Sequence, residues 1–99
     1  MRREVEILNE LGLHARPAAE FVRCAQQFQS EITIHKGGQA YSSKSIIEVL
    51  TANLDCGARA ELEAVGSDER EAIEQLAALL EKFREDQLRE KAEKKGTSR

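Results

Sequence analysis

The sequence predicts an α+β open-faced sandwich: a four-stranded antiparallel sheet covered on one face by three helices, in the order β-α-β-β-α-β-α. Three observations predict it. Short segments that alternate apolar and polar residues recur along the chain, giving strands with one dry and one wet face, as antiparallel sheets have. Between them lie segments whose apolar residues repeat at helical spacing. A Gly37-Gly38 pair separates two of the strands and marks a two-residue hairpin. Ninety-nine residues are enough for one domain with one modest core, expected at 1–84, with a charged helical extension and frayed tail at 85–99.

Val5 and Ile7 alternate with Glu4 and Glu6, so residues 3–8 read as the first strand. Pro17 lacks an N–H and fits the first turn of a helix, where that donor has no partner. The first helix therefore starts at about Ala15 to Pro17. Ala18, Phe21, Val22, Ala25 and Phe28 form its apolar stripe, and it should end near Phe28. Residues 31–36 alternate again and are rich in β-branched side chains. The chain turns at Gly37-Gly38 and returns as a short strand over 39–42. Residues 45–50 read as a short helix crowded with Ile46, Ile47, Val49 and Leu50. After a turn at Asp55-Cys56-Gly57, Ala58, Ala60, Leu62 and Ala64 alternate with charged residues as the fourth strand. Asp68 is an N-cap for the last helix, with Glu71 at capping-box spacing. Its stripe is Ala72, Ile73, Leu76, Leu79, Leu80 and Phe83. Beyond Arg84 only Leu88 and Ala92 interrupt a polar, mostly charged run, where Glu85/Arg89 and Glu90/Lys94 can carry the helix into solvent; 96–99 should fray.

Charged residues make up 33% and hydrophobic ones 40% of the chain, the balance of a soluble globular domain. A net charge of −3 argues against nucleic acid, and the four aromatics (Phe21, Phe28, Tyr41, Phe83) offer no base-stacking platform. No apolar run at the start suggests a signal peptide or membrane span. Cys24 and Cys56 have neither CxxC nor metal-ligand spacing, so reduced thiols in a cytoplasm are expected, without a metal or cofactor.

The chemistry gathers at Gly12-Leu13-His14-Ala15-Arg16-Pro17-Ala18-Ala19. His14 stands just outside a helix N-terminus, whose unpartnered N–H groups and partial positive charge suit an anion. Arg16 adds a full charge and forked donors that match phosphate oxygens. A neutral imidazole is nucleophilic near neutral pH, so His14 could accept a phosphoryl group whose charge is already matched. His35, out of phase with Ile32 and Ile34, should face solvent as an ordinary surface residue. Ser45 and Glu48 have capping-box spacing, which alone accounts for Ser45; the other reading is a regulatory phosphorylation site. A docking patch around His14 is expected from Phe21, Ile46, Ile47 and Leu50, with Val49 in the core.

On these residues the chain resembles the histidine-containing phosphocarrier family, HPr, of the bacterial phosphoenolpyruvate-dependent phosphotransferase system. Gly12-Leu13-His14-Ala15-Arg16-Pro17-Ala18 is similar to that family's active-site motif, and Lys44-Ser45-Ile46-Ile47 to the start of its regulatory-serine motif. The resemblance runs from about Val5 to Phe83. It implies phosphorylation of His14 on its δ1 nitrogen by enzyme I, stabilisation of the phosphate by Arg16, and transfer to a IIA domain for sugar uptake or regulation. It also implies Ser45 as the target of the HPr kinase/phosphorylase in organisms that have one. Glu48 stands where many kinase-regulated members have a small or apolar residue. A monomer is expected of a small carrier that must expose one face. The competing readings are a regulatory binding module that transfers nothing, and a nitrogen-branch carrier whose relay ends in control.

Overall fold

In the computed structural model, which describes residues 1–7 and 15–97, the expected seven elements appear in the expected order. They are β1 (Arg2–Glu6), α1 (Ala15–Ala25), β2 (Glu31–Lys36), β3 (Gln39–Ser42), α2 (Ile46–Thr51), β4 (Arg59–Val65) and α3 (Glu69–Thr97). The strands form one antiparallel sheet in the order β1-β4-β2-β3. β4 is thus inserted last, between β1 and β2. Alternation sorts the two faces. Ile32 and Ile34 of β2 and Ala60, Leu62 and Ala64 of β4 are buried, in register as Ile32–Ala64 and Ile34–Leu62. Phe21, Val22, Val49, Ile73 and Leu76 from the three helices complete that core. The other face carries Arg2, Glu4 and Glu6 of β1 against Glu63, Glu61 and Arg59 of β4.

The first strand is shorter than expected, but Ile7 still pairs through its backbone: its N–H donates to Ala58 O (2.9 Å) and its carbonyl accepts from Gly57 N (2.7 Å). Residue 8, the expected end, lies outside the described residues. α1 closes at Ala25, although Phe28 is buried as its stripe requires. The chain leaves the helix through tighter i→i−3 bonds, Gln27 N to Cys24 O and Phe28 N to Ala25 O. Lys44 Nζ then donates to the Phe28 carbonyl at 2.7 Å. Gly37 and Gly38 both have positive φ, 57° and 79°, which a twisted two-residue hairpin needs. At the far end of α2, Lys36 Nζ donates to Ala52 O and Asn53 O, both at 2.9 Å, placing a cation on the negative end of the helix.

The start of α3 corrects the expected capping box. The Asp68 carboxylate accepts from Gln29 N and Ser30 N, each at 2.9 Å, and from the Ser30 hydroxyl. It clasps the α1–β2 connection instead of capping its own helix. Glu71 bonds to Gln75 Nε2, one turn on. It is Glu69 that reaches back, accepting from Gly66 N at 3.4 Å. α3 buries Ala72, Ile73, Leu76, Ala77, Leu80 and Phe83. It runs on through Gly96 to Thr97, 29 residues, or about 43 Å of helix. The stretch expected to fray therefore begins as helix; residues 98 and 99 lie outside the described residues.

The Asp68 clasp should make stability fall in acid. The donating Ser30 hydroxyl, then the Gln29 and Ser30 amides, hold this carboxyl below its ordinary pKa. A carboxylate depressed in the folded state contributes stability above its unfolded pKa, near 3.9, and loses it as the pH falls through the lower folded value. Urea melts from about pH 6 down to about pH 3 should show a shallower acid loss in Asp68→Asn than in the parent. Equal slopes would remove Asp68 as a contributor.

Candidate functional site

The first turn of α1 has the electrostatics expected of an anion site. Ala15 opens the helix, Arg16 is exposed, Pro17 is half-buried as its third residue and Ala18 is fully buried. Pro17 therefore sits where a helical N–H would have no acceptor. No acidic residue occupies the first turn, so the positive helix end is left unneutralised from within. His14, next in the chain before Ala15, lies with the rest of 8–14 outside the described residues.

Ser45 caps α2. Its backbone is extended (φ −117°, ψ 118°) and its Oγ accepts from Glu48 N at 3.3 Å. The other half of the expected box is displaced: Glu48 Oε1 accepts from Ser42 N at 3.0 Å, and Ser45 N donates to Ser42 O at 3.3 Å. The carboxylate thus ties α2 to the end of β3.

The docking expectation divides. Phe21 is 1% exposed and belongs to the core; its place on the stripe between Ala18, Val22 and Ala25 points it inward. On α2, Val49 is fully buried while Ile46, Ile47 and Leu50 are 37%, 73% and 42% exposed. A six-residue helix lying on a core can bury only one side, and here that side is Val49. If the outer side is a docking surface, Ile47→Glu should slow phosphoryl transfer roughly tenfold or more, the loss of one apolar anchor. Its circular dichroism and urea midpoint should stay near the parent's. Loss of folding instead would assign Ile47 a packing role.

The remaining candidates take ordinary roles. His35 lies on the open sheet face with Nε2 2.8 Å from Glu63 Oε1. That hydrogen bond, and next the charge of Arg2, hold Glu63 below the usual carboxylate range. Arg2 spans Glu61 (2.8 Å) and Glu63 (3.2 Å). Cys24 is half-buried, and burial pushes its thiol up, away from reactivity; Cys56 is exposed. Among the described residues no group of three His, Cys, Asp or Glu could hold a metal ion, and no helix is long and apolar enough to cross a membrane. Lys44, which the sequence offers only as part of a motif, joins the α1 end to α2: its carbonyl accepts from Gln26 Nε2 at 3.1 Å and its ammonium holds Phe28 O. No spacing rule could have found that contact.

Residues 1–82 match a family model described as the PTS HPr component phosphorylation site. The chain belongs to the HPr family. It is 45% identical over 78 residues to the phosphocarrier protein HPr of Haemophilus influenzae, covering 79% of this chain and 92% of that one. It is 42% identical over 82 residues to the HPr-like protein Crh of Halalkalibacterium halodurans, covering 83% and 98%. Among solved structures, HPr from Thermoanaerobacter tengcongensis matches with a TM-score of 0.81 and 42% identity over 84% of this chain and 94% of that one. A structure described as an HPr dimer from the same organism matches with a TM-score of 0.68 and 44% identity, covering 80% and 92%. The HPr fold is thus compatible with a dimer in a relative, and the expected monomer does not follow from the fold. HPr proteins are phosphocarriers.

Proposed function

We propose that the chain carries a phosphoryl group on His14, received from phosphoenolpyruvate by way of enzyme I and passed to a IIA domain. The reading is supported above all by the coincidence of Gly12-Leu13-His14-Ala15-Arg16-Pro17-Ala18 with a helix start that has an exposed Arg16 and no acidic residue in its first turn. In the forward step an imidazole nitrogen of His14, δ1 by family resemblance, attacks phosphorus. The new N–P bond forms as the bond from phosphorus to its carrier group on enzyme I breaks, and that group leaves with the bonding electron pair. The added charge meets the α1 dipole and the Arg16 guanidinium. The N–P bond is labile, so the return step to a IIA acceptor needs no further activation by this chain. The protein is then a substrate and donor in a relay rather than a self-sufficient catalyst, and it works in the cytoplasm.

The test is incubation with purified enzyme I, Mg²⁺ and phosphoenolpyruvate. The chain should gain one phosphoryl mass that is acid-labile and alkali-stable, and a IIA domain added afterwards should discharge it. Failure to label with any enzyme I would sink the reading. A second reading, a regulatory binding module, has the match to an HPr-like Crh protein in its favour. Here His14 stands with Arg16 and Pro17 in the motif, which favours the carrier.

A further inference from the structure

We propose that Glu48 is a specificity-determining residue that slows phosphorylation at Ser45, and so weakens any serine switch on the α2 turn. This rests on the carrier reading above and concerns the regulation of the same protein. The sequence places an acid three residues after the serine; the structure adds that this acid is anchored. Glu48 Oε1 accepts from Ser42 N at 3.0 Å, while Glu48 N donates to Ser45 Oγ at 3.3 Å. The carboxylate and the serine oxygen are thus tied into one small ring of residues 42–48, which also holds the bonds Ser45 N to Ser42 O and Lys44 N to Ser42 Oγ. A swing of Glu48 away from a phosphate would orphan the Ser42 amide.

The lysines nearest in the chain are committed elsewhere. Lys44 Nζ is held on Phe28 O at 2.7 Å, and Lys36 Nζ on the carbonyls at the opposite end of α2. A phosphate would bring nearly two negative charges into a turn that already holds one, with neither ammonium placed to screen it. The reaction itself is ordinary. Ser45 Oγ attacks the γ-phosphorus of ATP, an O–P bond forms, the bond from phosphorus to the bridging oxygen of ADP breaks, and the hydroxyl proton goes to a base of the kinase. The carboxylate opposes it by raising the energy of a transition state in which phosphoryl charge is brought up to Ser45.

Like charges held within one mostly solvated turn interact by enough to change a rate roughly five- to tenfold. The full chain, Glu48→Gln, Glu48→Ala and Ser45→Ala would be treated with a purified HPr kinase/phosphorylase and Mg-ATP. Initial rates of acid-stable phosphate incorporation would be read by mass. Glu48→Gln keeps an acceptor for Ser42 N and removes only the charge, so it should be phosphorylated at least about fivefold faster than the parent. Glu48→Ala separates charge from anchoring: a gain in both variants assigns the effect to charge. Equal rates for parent and Glu48→Gln, or no phosphate on either, would overturn the proposal, as would a gain confined to Glu48→Ala. Labelling of the same preparations by enzyme I and phosphoenolpyruvate reports His14 separately. A chain that labels at His14 while Glu48→Gln gains nothing keeps the carrier reading and loses this one.

Discussion

His14→Ala should abolish acid-labile labelling from phosphoenolpyruvate, a loss of at least about a thousandfold, because removing the nucleophile leaves no group to form the N–P bond. The chain contains its own control. Its other histidine, His35, is an imidazole of the same intrinsic nucleophilicity, yet it lies on the open face of the sheet with Nε2 on Glu63. Beside it stand Glu61, across the β2–β4 register, and Arg2, which is spent on both glutamates. A phosphoryl group there would meet carboxylates instead of a helix N-terminus. His35→Ala should therefore label at the parent's rate, and mass spectrometry should place the phosphate on the peptide containing His14. Arg16→Ala should keep the site of labelling but slow it, since the guanidinium stabilises charge without being the acceptor. Labelling that survives His14→Ala and disappears in His35→Ala would transfer the function to the sheet face.

The contrast between the two histidines shows what was legible in the sequence. Local rules worked where the deciding physics is local. Pro17 fixed a helix start, the Gly37-Gly38 pair fixed a hairpin, and alternation along β2 and β4 sorted each strand into its two faces. The Ser45 cap was legible for the same reason: a hydroxyl and an amide three residues apart decide it. Where a side chain had a choice of partners, spacing failed. Asp68 had the position of an N-cap, but two amides and a hydroxyl at residues 29 and 30 offered it three donors instead of one. Glu48 had the spacing of a capping box and took the Ser42 amide. Phe21 stands both on the apolar stripe of α1 and beside the motif, and the stripe decides: the side chain is buried in the core. The order β1-β4-β2-β3 was out of reach for another reason. Four alternating strands are compatible with several antiparallel orders, and it is the packing of helices over one face, α3 on β4 and β1 and α2 on β3, that goes with this one.

Gly66→Ala should be the most damaging small substitution in the fold, and it acts through the same clasp. Gly66 has φ of +155°, where L side chains are rare. A Cβ there would stand 2.6 Å from Ser30 Oγ and 2.7 Å from Ser30 Cα. The flexible way out is closed, because Ser30 is 1% exposed and both its amide and its hydroxyl are held by Asp68. Either Ser30 moves and the clasp opens, or the β4–α3 turn moves and α3 loses its seat. Backbone strain and forced overpacking of this kind each cost about 1–3 kcal/mol, together a sizeable part of the ~5–15 kcal/mol that stabilises a domain this size. The urea midpoint should drop accordingly. Gly37→Ala supplies the comparison: it also has positive φ, but no atom lies within 4 Å of its built Cβ, so only the backbone preference of about 1 kcal/mol is lost. If the two variants melt together, the close approach of Gly66 to Ser30 does not exist in solution. If Gly66→Ala is the weaker and its remaining folded fraction still labels at His14 at the parent's rate, the clasp is a device of stability alone. It then holds the seat of α1 without touching the chemistry at its other end.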